Sequence, residues 1–260
     1  MSIIKFINQI KQLLGVGCVR FIKQKTMKKF LTIAAVALLT MGMVSCHKDD
    51  DNANTNTDTI IDLTAMEWVD LGLPSGLLWA KYNLGTLTQE GYGNCYSWGE
   101  AEPKSEYSWA TYVHGDRDGA YHIYKYNTEV DFGTVDEKVT LEESDDAVTV
   151  LLGNGARIPT KAEWQELFDK TTVEWTTENG VNGRRFTAAN GNSLFMPAAG
   201  DRNGISLINS GIRGSYWSAS LYESYPSRAW CVNFDSVKQS VYYADRYYGF
   251  SLRAVRDGQN

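Results

Sequence analysis

In residues 157–170, RIPTKAEWQELFDK, a helical repeat arrives with its own start signal. Thr160 sits where an N-cap belongs and Glu163 follows three residues later, so each side chain can satisfy an orphan backbone amide. Trp164, Leu167 and Phe168 then share one face at i, i+3 and i+4. A shorter run from Asp145 to Leu152 predicts a second helix that stops at Gly153. Elsewhere the globular part reads in short pieces cut by turns. EWVDLGLPSGLLWAKYNLG (67–85) predicts two strands around a Pro-Ser-Gly turn. GRRFTAANGNSLFMPAAG (183–200) carries Asn-Gly between two strands, a strong hairpin signal. In 229–235, Trp230, Val232 and Phe234 alternate with Cys231, Asn233 and Asp235, which predicts the first set inward and the second outward. Phe250, Leu252 and Ala254 alternate in the same way with Ser251, Arg253 and Val255. Residues 91–100 read as loop, and 101–140 as a long irregular stretch. Few helices, short antiparallel strands and long loops define an α+β class.

The N-terminal part does not belong to that fold. Met27-Lys28-Lys29 precedes an apolar run, residues 30–45, which is short for a membrane span but suits a signal-peptide core. Met43-Val44-Ser45-Cys46 resembles a lipobox, so Cys46 is the expected lipidation site; a plain secretory cleavage nearby is the alternative. Residues 1–26 are cationic and amphipathic. They read as an over-extended start, with Met27 the true initiator, or as a membrane-surface helix. This divides the chain into a leader and signal peptide (1–45), a polar tether (46–65) and one domain (66–260), without internal repeats. Residues 1–45 carry seven bases and no acid. The remainder keeps 18 bases against 31 acids, a net of −13. Such a body repels nucleic acid and anionic lipid, so membrane attachment is expected through the N-terminal lipid only. The acidic run after Cys46 resembles the surface-export tag of some Gram-negative lipoproteins, which implies an outer-membrane protein facing outward.

The tail, 214–256, holds seven tyrosines: Tyr216, Tyr222, Tyr225, Tyr242, Tyr243, Tyr247 and Tyr248. Their neighbours are Ser, Asn, Asp and Arg rather than Leu or Ile. A core does not need so many hydroxyls, because each buried one demands a partner. A binding surface does use them. Tyr brings large contact area, two torsions to freeze and a polar tip, and its ring suits stacking on sugars. The candidate contacts are Tyr222, Tyr225, Asn233, Asp235, Tyr242, Tyr243, Asp245, Tyr247 and Tyr248.

Arg157-Ile158-Pro159-Thr160-Lys161-Ala162-Glu163-Trp164 resembles the RLPTEAEW signature of the formylglycine-generating (sulfatase-modifying factor) family. Arg213-Gly214-Ser215-Tyr216-Trp217 and Gly249-Phe250-Ser251-Leu252-Arg253 resemble its later RGGSW and GFR blocks, in the same order. VDLGLPSGLLWA and YSWGE look like the Fibrobacter succinogenes major paralogous domain group of exported lipoproteins. Together the resemblance covers about 66–256 and implies a C-type-lectin-like fold. The tail also resembles the variable proteins of diversity-generating retroelements. That implies a fixed scaffold (Trp217, Ala229, Trp230, Phe234, Arg246, Gly249, Phe250) beneath exposed Tyr, Asn, Ser and Asp positions.

Chemistry has few carriers. The formylglycine reaction needs a cysteine pair after the RGGS-type block, and 215–220 reads SYWSAS. Cys95 and Cys231 are either one disulfide or two partly buried thiols. No Cys/His spacing suggests zinc, and the ligand motifs of calcium-dependent lectins do not occur. Asp116-Arg117-Asp118-Gly119 is only faintly like a calcium loop, and His114 and His122 beside it read as loop histidines. Ser218 and Ser220 lack a nucleophile elbow. The expectation is therefore a surface lipoprotein that is not an enzyme and holds no metal or cofactor. Its domain would bind a protein or glycan through the C-terminal third. The alternatives are a structural subunit of a cell-surface assembly and, third, an enzyme of the formylglycine type.

Overall fold

The computed structural model describes residues 65–116 and 122–258. The leader, Cys46, the tether to residue 64 and the Arg117-Asp118-Gly119 part of the calcium-like turn lie outside the described residues. In chain order the elements are β1 (Trp68–Asp70), β2 (Leu77–Asn83), β3 (Cys95–Tyr96), 3₁₀ turns at Trp109–Thr111 and Val130–Phe132, α1 (Ala147–Leu152) and α2 (Lys161–Lys170). Then follow β4 (Thr171–Glu178), β5 (Val181–Ala188), β6 (Ser193–Pro197), β7 (Asp201–Asn203), β8 (Ser206–Ile208) and β9 (Gly214–Leu221). The chain closes with β10 (Arg228–Phe234), β11 (Gln239–Asp245), β12 (Phe250–Ser251) and β13 (Arg253–Asp257). This is a β-rich α+β fold with two α-helices among the described residues. Neither helix is long and apolar enough to cross a membrane.

The local signals act as expected. The α2 capping box forms in both directions: Glu163 N–H donates to Thr160 Oγ1 (3.3 Å) and Thr160 N–H to Glu163 Oε2 (2.7 Å). Arg157 clamps the same carboxylate with both terminal nitrogens, at 2.6 and 2.8 Å. Asp146 caps α1 by accepting from Val148 and Thr149 N–H, and the helix stops at Gly153. β1 pairs with β2, and β5 with β6 across Asn190-Gly191.

The main sheet runs β11-β10-β9-β12-β3, and smaller sheets run β1-β2-β13, β4-β5-β6 and β7-β8. Both faces of the main sheet are covered. One carries Trp217, Ala219, Leu221, Ala229 and Cys231 against Trp98, Tyr126 and Phe250. The other carries Tyr216, Val232 and Phe234 against Trp79, Trp164, Leu167 and Phe186. The alternation expected in 229–235 therefore needs correcting at two places. Cys231, predicted outward, is fully buried, because the second face also has a core over it. Trp230, predicted inward, is half-exposed at the margin of its face. Residues 250–255 are buried on both faces for the same reason, Arg253 included.

Two arginines hold this frame without a carboxylate partner. Arg253 donates to Ala80 O (3.0 Å), Lys81 O (2.5 Å), Asn83 Oδ1 (2.6 Å) and Phe195 O (3.2 Å), tying β2 to β6. Arg246 donates to Lys125 O (2.9 Å), Tyr126 O (3.3 Å), Pro226 O (2.9 Å) and Tyr112 Oη (2.8 Å). A buried guanidinium tolerates this because neutral oxygens take most of its donors, although Arg253 Nε has no partner among the described residues. Burial pulls Arg253 down to about 10 and lowers Arg246 as well. The arrangement also explains Gly249: a Cβ there would sit 2.5 Å from the Tyr107 ring.

Candidate ligand-binding face

β10 and β11 pair without interruption, which puts Trp230 opposite Tyr243 and Arg228 opposite Asp245. The β9–β10 connection turns back tightly, with Tyr225 N–H donating to Tyr222 O and Arg228 N–H to Tyr225 O. That turn lays Tyr222 on Tyr243, ring centroids 4.2 Å apart and planes within 15°. Tyr242 stacks on Tyr243 from the other side at 4.9 Å. Trp230 meets Tyr222 edge-on at 5.0 Å. Aromatic pairs of this kind add roughly 0.5–1.5 kcal/mol each beyond buried area, which makes the ladder a stiff surface rather than a fringe of free side chains.

Cations border it. Lys161, the first residue of α2, holds its ammonium 3.4 Å over the Trp230 ring. Arg228 lies 4.9 Å from the Tyr225 ring centre and 5.4 Å from that of Tyr243, and pairs with Asp245 at 3.0 Å. Tyr225 in turn packs edge-on against Phe132 at 4.7 Å. Tyr242 is 49% exposed and Tyr222, Tyr225 and Tyr243 are half-buried, so the ladder shows edges and hydroxyls rather than whole rings.

The hydroxyls separate these tyrosines from those of the interior. Tyr216 donates to Pro197 O, Tyr107 to Cys95 O, Tyr112 to Trp98 O and Tyr126 to Asp145 Oδ2. Those of Tyr222, Tyr225, Tyr242 and Tyr243 bond to none of the described residues. Each phenol can both donate and accept a hydrogen bond.

The nine predicted contacts fall in three places. Tyr222, Tyr225, Tyr242, Tyr243 and Asp245 gather at the ladder. Tyr247 and Tyr248 form a separate stack at 4.5 Å, continued by Trp109 at 5.2 Å and Phe250 at 5.9 Å. Burial pushes the Tyr247 phenol well above its ordinary range. Asn233 and Asp235 lie at the opposite end of β10, where Asp235 Oδ1 accepts Val237 and Lys238 N–H and closes the hairpin. Sequence reasoning missed Lys161 and Arg228, and counted Trp230 as frame. Nothing local marks Lys161, which reaches Trp230 across 69 residues of chain.

The remaining chemical groups are occupied. Cys95 and Cys231 are free thiols on β3 and β10, with β12 and β9 between them. That separation is too great for a disulfide. Burial raises Cys95 to about 11 and Cys231 further still, so neither is a thiolate near neutral pH. Ser218 Oγ donates to Trp230 O, and Ser220 Oγ accepts from Lys161 N–H. His114 Nε2 lies 2.8 Å from Gly99 O, and burial lowers its pKa. His122 pairs with Asp116 at 2.9 Å. Among the described residues no three His, Cys, Asp or Glu side chains gather as a ligand set for a metal.

No family model, curated protein or solved structure matches this chain.

Proposed function

We propose that this protein is an exported surface lipoprotein, anchored at Cys46, whose C-type-lectin-like domain binds a protein or glycan through the Tyr222–Tyr243–Tyr242 ladder. One observation carries the reading: these rings are fixed by stacking while their hydroxyls have no partner among the described residues. Interfaces concentrate energy in such rigid aromatic anchors with polar tips. Arg228 and Lys161 add oriented charge at the rim. Tyr247 and Tyr248, packed against the core, belong to the support more than to the contact surface. The buried, widely spaced thiols argue against redox chemistry of the formylglycine type. The resemblance to retroelement variable proteins fits a face whose tips vary over a constant frame.

The test is a glycan array and a pull-down from intact cell-surface extract with the full chain, repeated with Tyr222→Ala and Tyr243→Ala. Binding that both variants leave unchanged ends this assignment.

A second reading, a subunit of a surface assembly, is favoured by one feature. β11 is the edge of the main sheet and pairs on one side only, with β10. An open edge is what strand addition by a neighbouring subunit uses. It predicts co-purification in a stable complex that a proline at Val241 disrupts.

A further inference from the structure

At the far end of β10 from the ladder, a cleft of about 430 Å³ opens beside the sheet. Arg213, Asn233, Phe234, Asp235, Lys238, Ser240 and Tyr242 line it. Part of its wall is one face of the sheet, where Asn233 and Ser240 stand opposite one another on β10 and β11. The neighbouring row on this face is Trp217, Cys231 and Tyr242, of which the first two are fully buried. The face thus changes from apolar core to a polar row within one step.

Two of the lining residues are short of hydrogen-bond partners. Arg213 Nε and Asn233 Oδ1 are enclosed and have none among the described residues. Buried polar groups are otherwise almost always paired, which makes two orphans on one cleft informative. Their chemistry is mixed. Arg Nε only donates, Asn Oδ1 only accepts, and the Ser240 hydroxyl beside them does either. A carboxylate or phosphate would serve the arginine but face Asn233 Oδ1 and Asp235 as repelling acceptors. An ammonium would fail at Arg213 and Lys238. A hydroxyl serves both orphans and Ser240.

Charge agrees. Arg213 is already neutralised by buried Asp201 at 2.6 Å, and Lys238 and Asp235 flank the opening with opposite signs. Tyr242, half in solvent at the rim, offers a ring face for C–H stacking. A cleft with one aromatic platform and several convergent neutral groups suits a small hydroxylated ring.

We propose that this cleft takes a neutral pyranose sugar, seated on the Tyr242 ring with its hydroxyls toward Asn233, Ser240 and Arg213. The inference rests on the binding reading and narrows its ligand to a glycan, with Tyr242 shared between ladder and cleft. The experiment is saturation-transfer NMR of the full chain with the methyl α-pyranosides of glucose, galactose and mannose, with glucuronate as the charged comparison. At least one neutral pyranoside is expected to bind and glucuronate more weakly. Ser240→Val keeps a strand-favouring residue on β11 and removes the hydroxyl; it should weaken binding about 10-fold, as should Tyr242→Ser. Ile205→Ser, on the exposed turn between β7 and β8, should change nothing. Melting curves check that each variant folds. No saturable sugar up to about 50 mM, or sugar binding indifferent to Ser240→Val and Tyr242→Ser, overturns the inference. If a retained partner still requires Tyr222 and Tyr243 in that case, the cleft assignment falls alone. If no partner is retained either, the binding reading falls with it.

Discussion

The tyrosines of the interior and those of the ladder share a side chain and little else. Tyr112, Tyr126 and Tyr216 are buried, and each spends its hydroxyl on a carbonyl or carboxylate of a distant segment. Tyr222, Tyr242 and Tyr243 lean on one another and keep theirs for whatever arrives. Arg246 belongs to the first group in spirit: its guanidinium joins Lys125, Tyr126, Pro226 and Tyr112, segments with no regular structure of their own. The lesson is a division of labour by hydrogen bonding. Where the phenol is bonded inward, the ring is part of the frame. Where it is not, the ring is held by stacking alone and its tip is available.

This division is open to attack at several points. The largest effect belongs to Arg246→Ala, which takes the donor from three interior carbonyls and removes the bond that the Tyr112 hydroxyl accepts. We expect a loss of about 4 kcal/mol, read as a fall in melting temperature of roughly 8–16 °C. Next comes Tyr243→Ala. It removes the middle ring of the ladder and should cost about 2 kcal/mol of affinity, near 30-fold in Kd, with the fold retained by circular dichroism. A matched pair sharpens the contrast. Tyr216→Phe removes one of the two bonds made by Pro197 O, which keeps Ala199 N–H, and one of the two made by the Asn83 amide, which keeps Tyr92 O, and should destabilise by about 1 kcal/mol. Tyr243→Phe deletes a hydroxyl bonded to none of the described residues and should stay within about 0.5 kcal/mol in denaturant melts. Equal costs for the two would erase the distinction.

The smallest effect is one of pH. His114 packs between Tyr112 and Tyr126 with Arg246, Lys125 and Asp145 nearby, and burial lowers its pKa from 6.5. The unfolded chain therefore takes up a proton that the folded one resists. Stability is complete above pH 6.5 and declines as pH falls through the window beneath it. Melting temperatures measured between pH 7.5 and 5.2 should show that decline, and His114→Gln should flatten it; the range stays above the ordinary carboxylate values.

Much of the fold was legible because its signals are local. The Thr160–Glu163 box, the Asn190-Gly191 turn and the Asp146 cap each act within a few residues. The stretch 101–140 was not legible. Its order comes from contacts more than 100 residues away, such as Arg246 to Tyr126 O and to the Tyr112 hydroxyl. Cys231 was misplaced because period-two alternation assumes one wet face, and this sheet has none at that point. For the candidate site, composition pointed to the tyrosines of the tail but could not sort them. Tyr222 reaches Tyr243 only because of how tightly 222–228 turns, and Tyr247 and Tyr248 are drawn off by Trp109. Lys161 and Trp230 meet through the packing of α2 on the sheet, which no local pattern announces.

The account stands most directly on one comparison of affinities. A ligand retained by the native chain should be measured against a chain carrying Tyr222→Ala, Tyr242→Ala and Tyr243→Ala together, with melting curves confirming that both fold. We expect Kd to rise by at least about 30-fold. An unchanged Kd in a folded triple variant would show that recognition lies elsewhere on the molecule.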